Sequence, residues 1–226
     1  MRKTTQAADA RRYDRQTAII ANGDFPKGPL PLGILRNVDH VVCCDGAAKK
    51  FVEAFHRLPD AVVGDGDSLD AAMRRRLGAR FHRVREQQTN DLEKAFRFCL
   101  ARHAGFVVVL GATGRREDHA LGNIFRLLDF ERRLPGGVVM ATETGLFWPV
   151  HGTRTFASAR GMAVSVFAPH PGTRVKSTGL QWPLAGVRLD DLWTGTLNRA
   201  TAESWSITAS KPVLVFLSAL DGKRRG

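Results

Sequence analysis

Three short acidic segments of the chain combine carboxylates with glycine, lysine or arginine: Gly64–Ser68, Thr89–Lys94 and Gly114–His119. In the first segment, Asp65 and Asp67 stand two residues apart and each follows a glycine, so both carboxylates can reach one metal ion. Mg²⁺ binds through one or two carboxylates plus phosphate oxygens, and cationic side chains take up the remaining phosphate charge. The spacing therefore predicts phosphoryl or pyrophosphoryl transfer at a magnesium–polyphosphate site.

The elements that must position these segments are predicted from short apolar runs rich in β-branched residues. Such runs suit strands that are covered on both faces, as in a parallel sheet. Apolar residues with a helical period lie between the runs, so strands alternate with helices and form an open α/β sheet. The predicted strands cover residues 17–21, 38–44, 61–63, 106–110 and 138–140, and the clearest helical patterns lie within 51–58, 92–100 and 121–128.

The helical period disappears after about residue 145. Residues 162–167 and 213–217 alternate as strands do, and glycine and proline punctuate the stretch at turn-like intervals. The predicted fold class is therefore α/β: an N-terminal open, mainly parallel sheet flanked by helices, followed by a small C-terminal antiparallel β-sandwich. The predicted organisation is a mobile tail over residues 1–15, an α/β catalytic domain over 16–142 and the sandwich domain over 145–220.

Carboxylates reach one edge of the predicted sheet from four separate segments: Asp45, Asp65 with Asp67, Asp91, and Asp118. Each follows a predicted strand or opens a predicted helix, and the carboxyl ends of parallel strands face the ligand crevice. A simpler alternative is that Asp45 and Asp91 only cap helices, because aspartate is favoured at helix starts. We favour a shared site, since capping alone would have to explain all four segments.

The segment Gly111–Gly114 follows a predicted strand and precedes a helix, so its backbone N–H groups can cradle phosphate. It is not a Walker A sequence, because no Gly-Lys-Ser/Thr follows it. Lys94 and Arg116 are placed to neutralise phosphate charge. The alternative for both is a surface ion pair, which contributes little stability. His119 can orient Asp118 or touch phosphate, although a single histidine at a helix start is more often structural.

The composition is that of an ordinary globular protein, with 43% hydrophobic and 25% charged residues among 226. No apolar run approaches the roughly 20 residues that span a bilayer, and the first residues lack the apolar stretch of a secretory signal. Cys43, Cys44 and Cys99 form no CxxC pair and lie within apolar runs. We expect them to be reduced core residues of a cytoplasmic protein.

The net charge of +12 raises the alternative of nucleic-acid binding, because basic surfaces attract phosphate backbones. The basic residues are nevertheless dispersed along the chain, and no RNA-binding signature with interleaved aromatic residues accompanies them. We therefore expect the basic residues to lie on solvated helix faces, and we expect neither a membrane nor a nucleic acid to be the main partner.

Four segments of the chain resemble the thiamine pyrophosphokinase family: Cys44–Ala47, Gly64–Ser68, Gln87–Ala95 and Gly111–Asn123. Their order, their spacing and the chain length all agree with the family, and the resemblance runs from about Ile19 to Leu217. Any one segment would be a weak signal, but four that coincide are specific.

The resemblance implies a transfer of diphosphate from ATP to thiamine, which gives AMP and thiamine diphosphate. It also implies a homodimer with active sites at the subunit interface and a C-terminal sandwich that helps to hold thiamine. Mg²⁺ is the implied cofactor and ATP the co-substrate. The implied metal ligands are Asp45, Asp65, Asp67 and Asp91.

The resemblance also implies a role for each matching residue. The implied catalytic residues are Asp65, Asp67, Asp91, Lys94, Arg116 and Asp118. The implied nucleotide and phosphate contacts are Asp45, Gly46, Ser68, Gln87, Thr89, Asn90, Gly111, Thr113, Gly114, His119 and Asn123. The implied thiamine contacts are Thr196, Asn198 and Phe216, with Val215 as the alternative to Phe216. The chain departs from the family pattern at Asn90, where many members have threonine, and at Leu197, where serine is frequent.

The implied mechanism is in-line attack of the thiamine hydroxyl on the β-phosphorus of ATP. Either Asp91 or Asp118 accepts the hydroxyl proton, and the sequence leaves both open. Three alternative functions also stay open. They are a pyrophosphokinase for another primary alcohol such as a hydroxymethyl-pterin, a catalytically silent thiamine or nucleotide sensor, and a nucleic-acid-binding protein.

Overall fold

The computed structural model describes residues 16–219 of the 226-residue chain. The predicted tail over residues 1–15, and residue 220 of the predicted sandwich domain, lie outside the described residues. Within them the chain forms two compact units. Residues 16–124 with 140–143 make the first unit, and residues 125–139 with 144–219 make the second.

Five parallel strands form the sheet of the first unit. They are β1 (Gln16–Ile20), β2 (His40–Cys44), β3 (Ala61–Gly64), β4 (Phe81–Arg83) and β5 (Phe106–Leu110). Their order across the sheet is β5–β1–β2–β3–β4. Ile19 of β1 lies opposite Val42 of β2 on one side and Val109 of β5 on the other. β5 is buried throughout, as expected of a central strand covered on both faces.

Five helices accompany these strands. They are α1 (Pro29–Asn37), α2 (Ala47–Phe55), α3 (Ala71–Leu77), α4 (Asp91–Ala101) and α5 (Glu117–Arg133), after which comes the strand β6 (Val138–Ala141). The predicted helical patterns correspond to α2, α4 and α5, whereas no pattern predicted α1, α3 or β4. α1 contains two prolines and a glycine within nine residues, which obscure a helical period, and α3 buries only Met73 and Leu77. Leu58 lies beyond α2, because His56 takes the left-handed conformation and ends the helix.

The direction in which strands are added reverses at β1. From β1 the chain moves to β2, β3 and β4 on one side and then returns to β5 on the other. Right-handed crossovers place α1, α2 and α3 on one face of the sheet and α4 on the opposite face. α4 packs across β1, β2 and β3. In open α/β sheets ligands bind at such a reversal, outside the carboxyl ends of the strands.

α4 follows the predicted helical period closely. Its start is fixed by Asn90, whose side-chain oxygen accepts a hydrogen bond from the backbone N–H of Glu93 at 3.0 Å. This bond satisfies one of the N–H groups that a helix start leaves free. The predicted apolar positions that are buried are Leu92, Ala95, Phe96 and Cys99.

The second unit contains six strands that pair antiparallel. They are β7 (Gly145–Ala157), β8 (Ala163–Phe167), β9 (Thr173–Thr178), β10 (Val187–Leu189), β11 (Gly195–Arg199) and β12 (Ser204–Ser218). β12 pairs with β7 along most of its length, with β9 along 206–209 and with β8 along 214–217. The register of β12 against β7 shifts between Ala209 and Val213. The two long strands therefore take part in two layers, β10–β9–β12–β7 and β11–β8–β12–β7.

The core of the second unit is built by the alternation that the sequence predicts. Val164 and Val166 of β8 are buried, whereas Ser165 between them is only half-buried. Trp205 and Ile207 of β12 face the same core and are almost fully buried. The predicted fold class, an α/β sheet with flanking helices followed by antiparallel strands, is confirmed.

The three cysteines are buried and free, as predicted. Burial raises the pKa of Cys99 to about 12, so its thiol stays protonated and unreactive. No helix within residues 16–219 is long and apolar enough to cross a membrane.

His82 provides a pH-dependent test of the first unit. Its ring lies 4.6 Å from that of Phe98 between centroids, and burial followed by the charge of Arg102 lowers the pKa of His82. The unfolded chain therefore binds this proton at higher pH, and the free energy of unfolding falls as the pH drops below about 6.5. Between about pH 7.5 and about pH 5.5, we expect His82→Gln to lose less stability than the wild type in urea unfolding. Equal losses in the two proteins would contradict this expectation.

Candidate active site

A cavity of about 490 Å³ lies at the carboxyl ends of the parallel strands, at the reversal between β1 and β5. Its walls come from the loops after β1 and β5, from the segment before α4 and from the first turns of α4 and α5. The predicted site residues that line it are Asp65, Gln87, Thr89, Asn90, Asp91, Lys94, Thr113, Arg116, His119 and Asn123. Segments far apart in sequence thus meet at the predicted edge.

The loops after β1 and β5 are joined by backbone hydrogen bonds. The N–H of Gly23 donates to the carbonyl of Gly111 at 2.7 Å, and the N–H of Asp24 donates to that of Thr113 at 2.9 Å. A Cβ atom at Gly23 would lie 2.4 Å from the Gly111 oxygen and 2.5 Å from the Thr113 oxygen. Only glycine permits this approach, so the cavity wall depends on Gly23.

Several residues that line the cavity were not predicted, among them Asn22, Gly23 and Arg115. Asn22 and Gly23 lie in the loop after β1, which is a strand end of the same kind as those that were recognised. Arg115 stands next to Arg116 in the predicted phosphate segment. Each residue therefore lies near a strand end or a recognised segment. The sequence did not give the strand order, so nothing identified β1 as the strand at which the order reverses.

Asp45 is buried behind the cavity and holds the neighbouring loop. Its Oδ2 accepts hydrogen bonds from the backbone N–H groups of Gly66 at 3.1 Å and Ser68 at 3.2 Å. Burial raises the pKa of Asp45, these N–H groups oppose that change, and the carboxylates of Asp65 and Asp91 add to it. The carboxylate caps no helix, since the N-cap of α2 is Gly46. The capping alternative is thus wrong for Asp45.

Asp65 is the member of the Asp65–Asp67 pair that faces the cavity. It accepts a hydrogen bond from the backbone N–H of Asp67 at 3.0 Å and another from the side-chain amide of Gln87 at 3.3 Å. These two bonds lower the pKa of Asp65, in that order of importance. Asp67 itself is exposed and does not line the cavity.

Arg74 anchors the same loop from α3. Its guanidinium donates to the backbone oxygen of Gly66 at 2.7 Å and to that of Leu69 at 3.0 Å. Arg74 lies on the exposed face of α3, as expected of the basic residues, and it binds this loop in addition. The sequence carried no signal for its role, because the two carbonyls are backbone groups that any residue could supply.

Lys94 and Asp91 form an ion pair within the first turn of α4. The Lys94 Nζ lies 3.1 Å from the Asp91 Oδ1, and the exposed fractions of the two side chains are 3% and 38%. The capping alternative is wrong for Asp91 as well, because Asn90 caps α4. A lysine so deeply buried beside a cavity is a fixed cation that can face an anionic ligand.

Asn123 connects two walls of the cavity. Its side-chain amide donates to the backbone oxygen of Ala112 at 2.9 Å, and its Oδ1 accepts from the side chain of Asn90 at 3.2 Å. Thr89 is held separately, by a backbone and a hydroxyl hydrogen bond to the carboxylate of Glu86. These bonds position the segments before α4 and after β5.

Arg116 and Asp118 pair with each other on the surface at the start of α5. The guanidinium donates to both oxygens of the carboxylate, at 3.1 and 2.6 Å, and this pairing lowers the pKa of Asp118. Arg116 lines the cavity, but Asp118 does not. The other predicted residues that do not line it are Asp45, Gly46, Asp67, Ser68, Gly111 and Gly114, and their site roles stay predictions.

Comparison with known proteins agrees with this arrangement. The family model described as the thiamin pyrophosphokinase catalytic domain matches residues 33–135, and the model of the thiamin pyrophosphokinase substrate-binding domain matches residues 145–216. The chain belongs to the thiamin pyrophosphokinase family. Thiamine pyrophosphokinase 1 of Oryza sativa subsp. japonica is 27% identical, in a match that covers 63% of this chain and 64% of the rice protein.

Solved structures of thiamin pyrophosphokinases share the fold. The enzyme from Candida albicans has a TM-score of 0.77 at 16% identity, covering 92% of this chain and 90% of that chain. The one from Bacillus subtilis has a TM-score of 0.75 at 19% identity, covering 90% of this chain and 98% of that chain. At such low identity the likeness concerns the fold alone.

The predicted thiamine contacts lie in the second unit, within the part matched by the thiamin pyrophosphokinase substrate-binding model. Asn198 is buried, and its side chain bonds the backbone N–H and C=O of Trp182 at 3.2 and 2.7 Å. The Thr196 hydroxyl donates to the Trp193 carbonyl at 2.8 Å. Asn198 and Thr196 therefore hold the segments that carry the two tryptophans. Their thiamine contacts stay predictions.

Phe216 and Val215 occupy opposite faces of β12. Val215 is fully buried in the core of the second unit, whereas Phe216 is half-buried and its ring lies 4.7 Å from that of Phe147. Phe216 also stands opposite Ser165, whose hydroxyl accepts from the backbone N–H of Leu197 at 3.3 Å. Of the two alternatives, Phe216 is thus the one whose side chain a ligand can reach.

The predicted metal ligands do not converge in the structure as a ready-made metal group. Within residues 16–219, no three side chains of histidine, cysteine, aspartate or glutamate are placed to hold one ion. Asp65 and Asp91 line the cavity, and Asp45 lies behind it.

Proposed function

We propose that this chain transfers diphosphate from ATP to the hydroxyl group of thiamine and releases AMP. The observation that carries the proposal is the ion pair of Lys94 and Asp91 at the cavity beside the β1–β5 reversal. A fixed cation at that place can stabilise the negative charge that develops on a phosphoryl group during transfer. The matches to both thiamin pyrophosphokinase domain models support the same reaction.

Mg²⁺ is the proposed cofactor, and one feature of the first unit fits it. Asp45 has a buried carboxylate oxygen, Oδ1, that lacks a hydrogen-bond partner among the described residues. The carboxylates of Asp65 and Asp91 also lie close enough to disfavour the charge on Asp45. We propose that Asp45, Asp65, Asp67 and Asp91 hold the ion. When bound there, Mg²⁺ would neutralise part of the negative charge on the phosphate oxygens.

The proposed reaction is an in-line displacement at the β-phosphorus of ATP. A bond forms between the thiamine hydroxyl oxygen and that phosphorus, and the bond from the phosphorus to the oxygen bridging it to the α-phosphate breaks. AMP departs with that oxygen. Lys94 and Arg116 hold the transferred diphosphate and stabilise its charge in the transition state.

Asp91 is the proposed acceptor of the hydroxyl proton. Asp118 is less suited, because Arg116 binds both of its carboxylate oxygens and holds its pKa below the usual range. Asp118 also does not line the cavity, whereas Asp91 does. A general base must reach the proton that it removes, so geometry favours Asp91.

Thiamine is proposed to contact Thr196, Asn198 and Phe216 in the second unit. The half-buried ring of Phe216, next to Phe147, offers an aromatic surface to the rings of thiamine. Thr196 and Asn198 support the neighbouring segments through the hydrogen bonds described above.

A cytoplasmic homodimer is the proposed assembly. Large apolar side chains remain exposed, which is typical of interaction surfaces. Trp182 and Trp193 are 54% and 66% exposed, and Leu121 on the apolar side of α5 is 57% exposed. On the same side of α5, Ile124, Phe125 and Leu128 are only half-buried. Reduced cysteines agree with a cytoplasmic location.

The test is mass-spectrometric product analysis after the purified protein is incubated with ATP, thiamine and Mg²⁺. We expect AMP and thiamine diphosphate in equal amounts, and neither product once the metal is chelated. If AMP formed only with another alcohol, such as a hydroxymethyl-pterin, diphosphate transfer would be supported but thiamine would not be the acceptor. Binding of thiamine without any product would indicate a sensor and overturn the proposal.

Asp67→Ala is expected to lower kcat by at least about 100-fold, because it removes a proposed ligand of the metal. The side chain is exposed, so the midpoint of thermal unfolding should stay unchanged. Steady-state kinetics and thermal unfolding of the same preparation check both statements. A fully active Asp67→Ala protein would remove Asp67 from the metal site and leave that role to the other three carboxylates.

A further inference from the structure

The cations around the cavity differ in whether they already have an anionic partner. Lys94 is paired with Asp91, and Arg116 is paired with Asp118. Arg115 also lines the cavity, but it forms no hydrogen bond or ion pair with any residue in the range 16–219. Its guanidinium is exposed and immediately follows Gly114, which has a positive φ of 90°.

Lys50 is a second cation at the same place that forms no ion pair with any residue in the range 16–219. It extends from α2 and is half-buried, and its Nζ donates to the backbone oxygen of Gly23 at 3.1 Å. Gly23 lines the cavity in the loop after β1. Burial, then the nearby charge of Arg115, lowers the pKa of Lys50, and Asp24 opposes this change. Two cations are therefore held close together, and a bound anion would relieve their repulsion.

Lys94 and Lys50 approach the β1–β5 reversal from opposite faces of the sheet. Lys94 is carried by α4, and Lys50 is carried by α2, which right-handed crossovers place on the opposite face of the sheet. Arg115 and Arg116 both follow β5, between those two helices. A linear polyphosphate that crosses the reversal would meet Lys94 at one end and Lys50 at the other, where the charge of Arg115 is near.

We propose that Lys50 and Arg115 bind the α-phosphate of the nucleotide, the group that leaves with AMP. This inference rests on the proposed function, in which Lys94 and Arg116 hold the transferred diphosphate. Lys50 and Arg115 contact the nucleotide equally before and after transfer. They therefore contribute to ATP and AMP affinity, and they contribute little to the rate of the chemical step.

The test is isothermal titration of AMP, inorganic pyrophosphate and adenosine into Lys50→Met, Arg115→Met and wild-type protein at one fixed salt concentration. We expect each variant to bind AMP about tenfold more weakly, as for loss of a hydrogen bond to a charged group. Affinity for pyrophosphate and adenosine should change less than about twofold. In kinetics, the KM for ATP should rise while kcat stays within about twofold.

Lys49→Met is the matched control, because Lys49 is the exposed neighbour of Lys50 on α2 and lacks the hydrogen bond that Lys50 donates to Gly23. Unchanged AMP affinity in both Lys50→Met and Arg115→Met would overturn the inference. Equal weakening of AMP and adenosine would also overturn it, because it would show that Lys50 acts only by holding the Gly23 loop. Failure of the proposed function is seen separately, as AMP binding to the wild type without any product from thiamine.

Discussion

Lys94→Met is expected to lower kcat/KM by about 10²–10³-fold, the usual loss when one preorganised electrostatic group is removed from a site. Methionine preserves most of the buried stem of the side chain and removes only its charge. The Asp91 carboxylate left behind is 38% exposed, so water can solvate it. The free energy of unfolding should therefore change by less than about 1 kcal/mol.

Steady-state kinetics with ATP and thiamine, together with urea unfolding, measure both quantities for Lys94→Met. The comparison variant is Lys49→Met, which loses the same charge from an exposed position and should keep wild-type kcat/KM. If Lys94→Met were as active as Lys49→Met, the buried ion pair would be structural, and the main support for diphosphate transfer at this cavity would be lost.

Gly23→Ala is expected to cost about 3 kcal/mol of stability and most of the activity. The new Cβ would lie 2.4 and 2.5 Å from two backbone oxygens, neither of which is at the end of a flexible side chain. Relief of that overlap requires the loops after β1 and β5 to separate, with loss of the hydrogen bonds of Gly23 and Asp24. The cavity wall separates with them.

Gly33→Ala is the control for this substitution. Gly33 lies inside α1, and a Cβ atom there meets nothing within 4 Å. Alanine should therefore stabilise the protein by about 0.5–1 kcal/mol, because it lowers the entropy of the unfolded chain. Urea unfolding of both variants should give changes of opposite sign. A Gly23→Ala protein as stable as the wild type would show that the two loops can separate freely.

The residues that local patterns predicted best are those whose burial is decided by their own element. β5 has the bounds that its apolar run predicts, and α4 buries four of the five positions that its helical period selects, with Leu100 half-buried. Both predictions succeed because burial on one face or on two faces leaves a periodic trace in the sequence. The loss of that helical period near residue 145 likewise predicted the change to antiparallel strands.

No comparable pattern in the sequence indicates which group a polar side chain bonds. Aspartate is common at helix starts for several reasons, and only the structure shows that Asn90 caps α4 while Asp91 pairs with Lys94. Arg74 is one of three exposed arginines of α3, and its guanidinium also binds the backbone of the loop that follows β3. Backbone acceptors carry no residue-specific signal, so no sequence pattern could have identified this contact.

The sequence by itself determined the fold class, the family, and the edge of the sheet to which the carboxylate segments lead. Those properties follow from local periodicity and from the residues at strand ends, both of which depend on residues close together along the chain. Only the tertiary structure decided that β1 is the strand where the order reverses, and with it the places of Asn22, Gly23 and Arg115. The reversal depends on which strands pair, and pairing is a contact between segments distant along the chain.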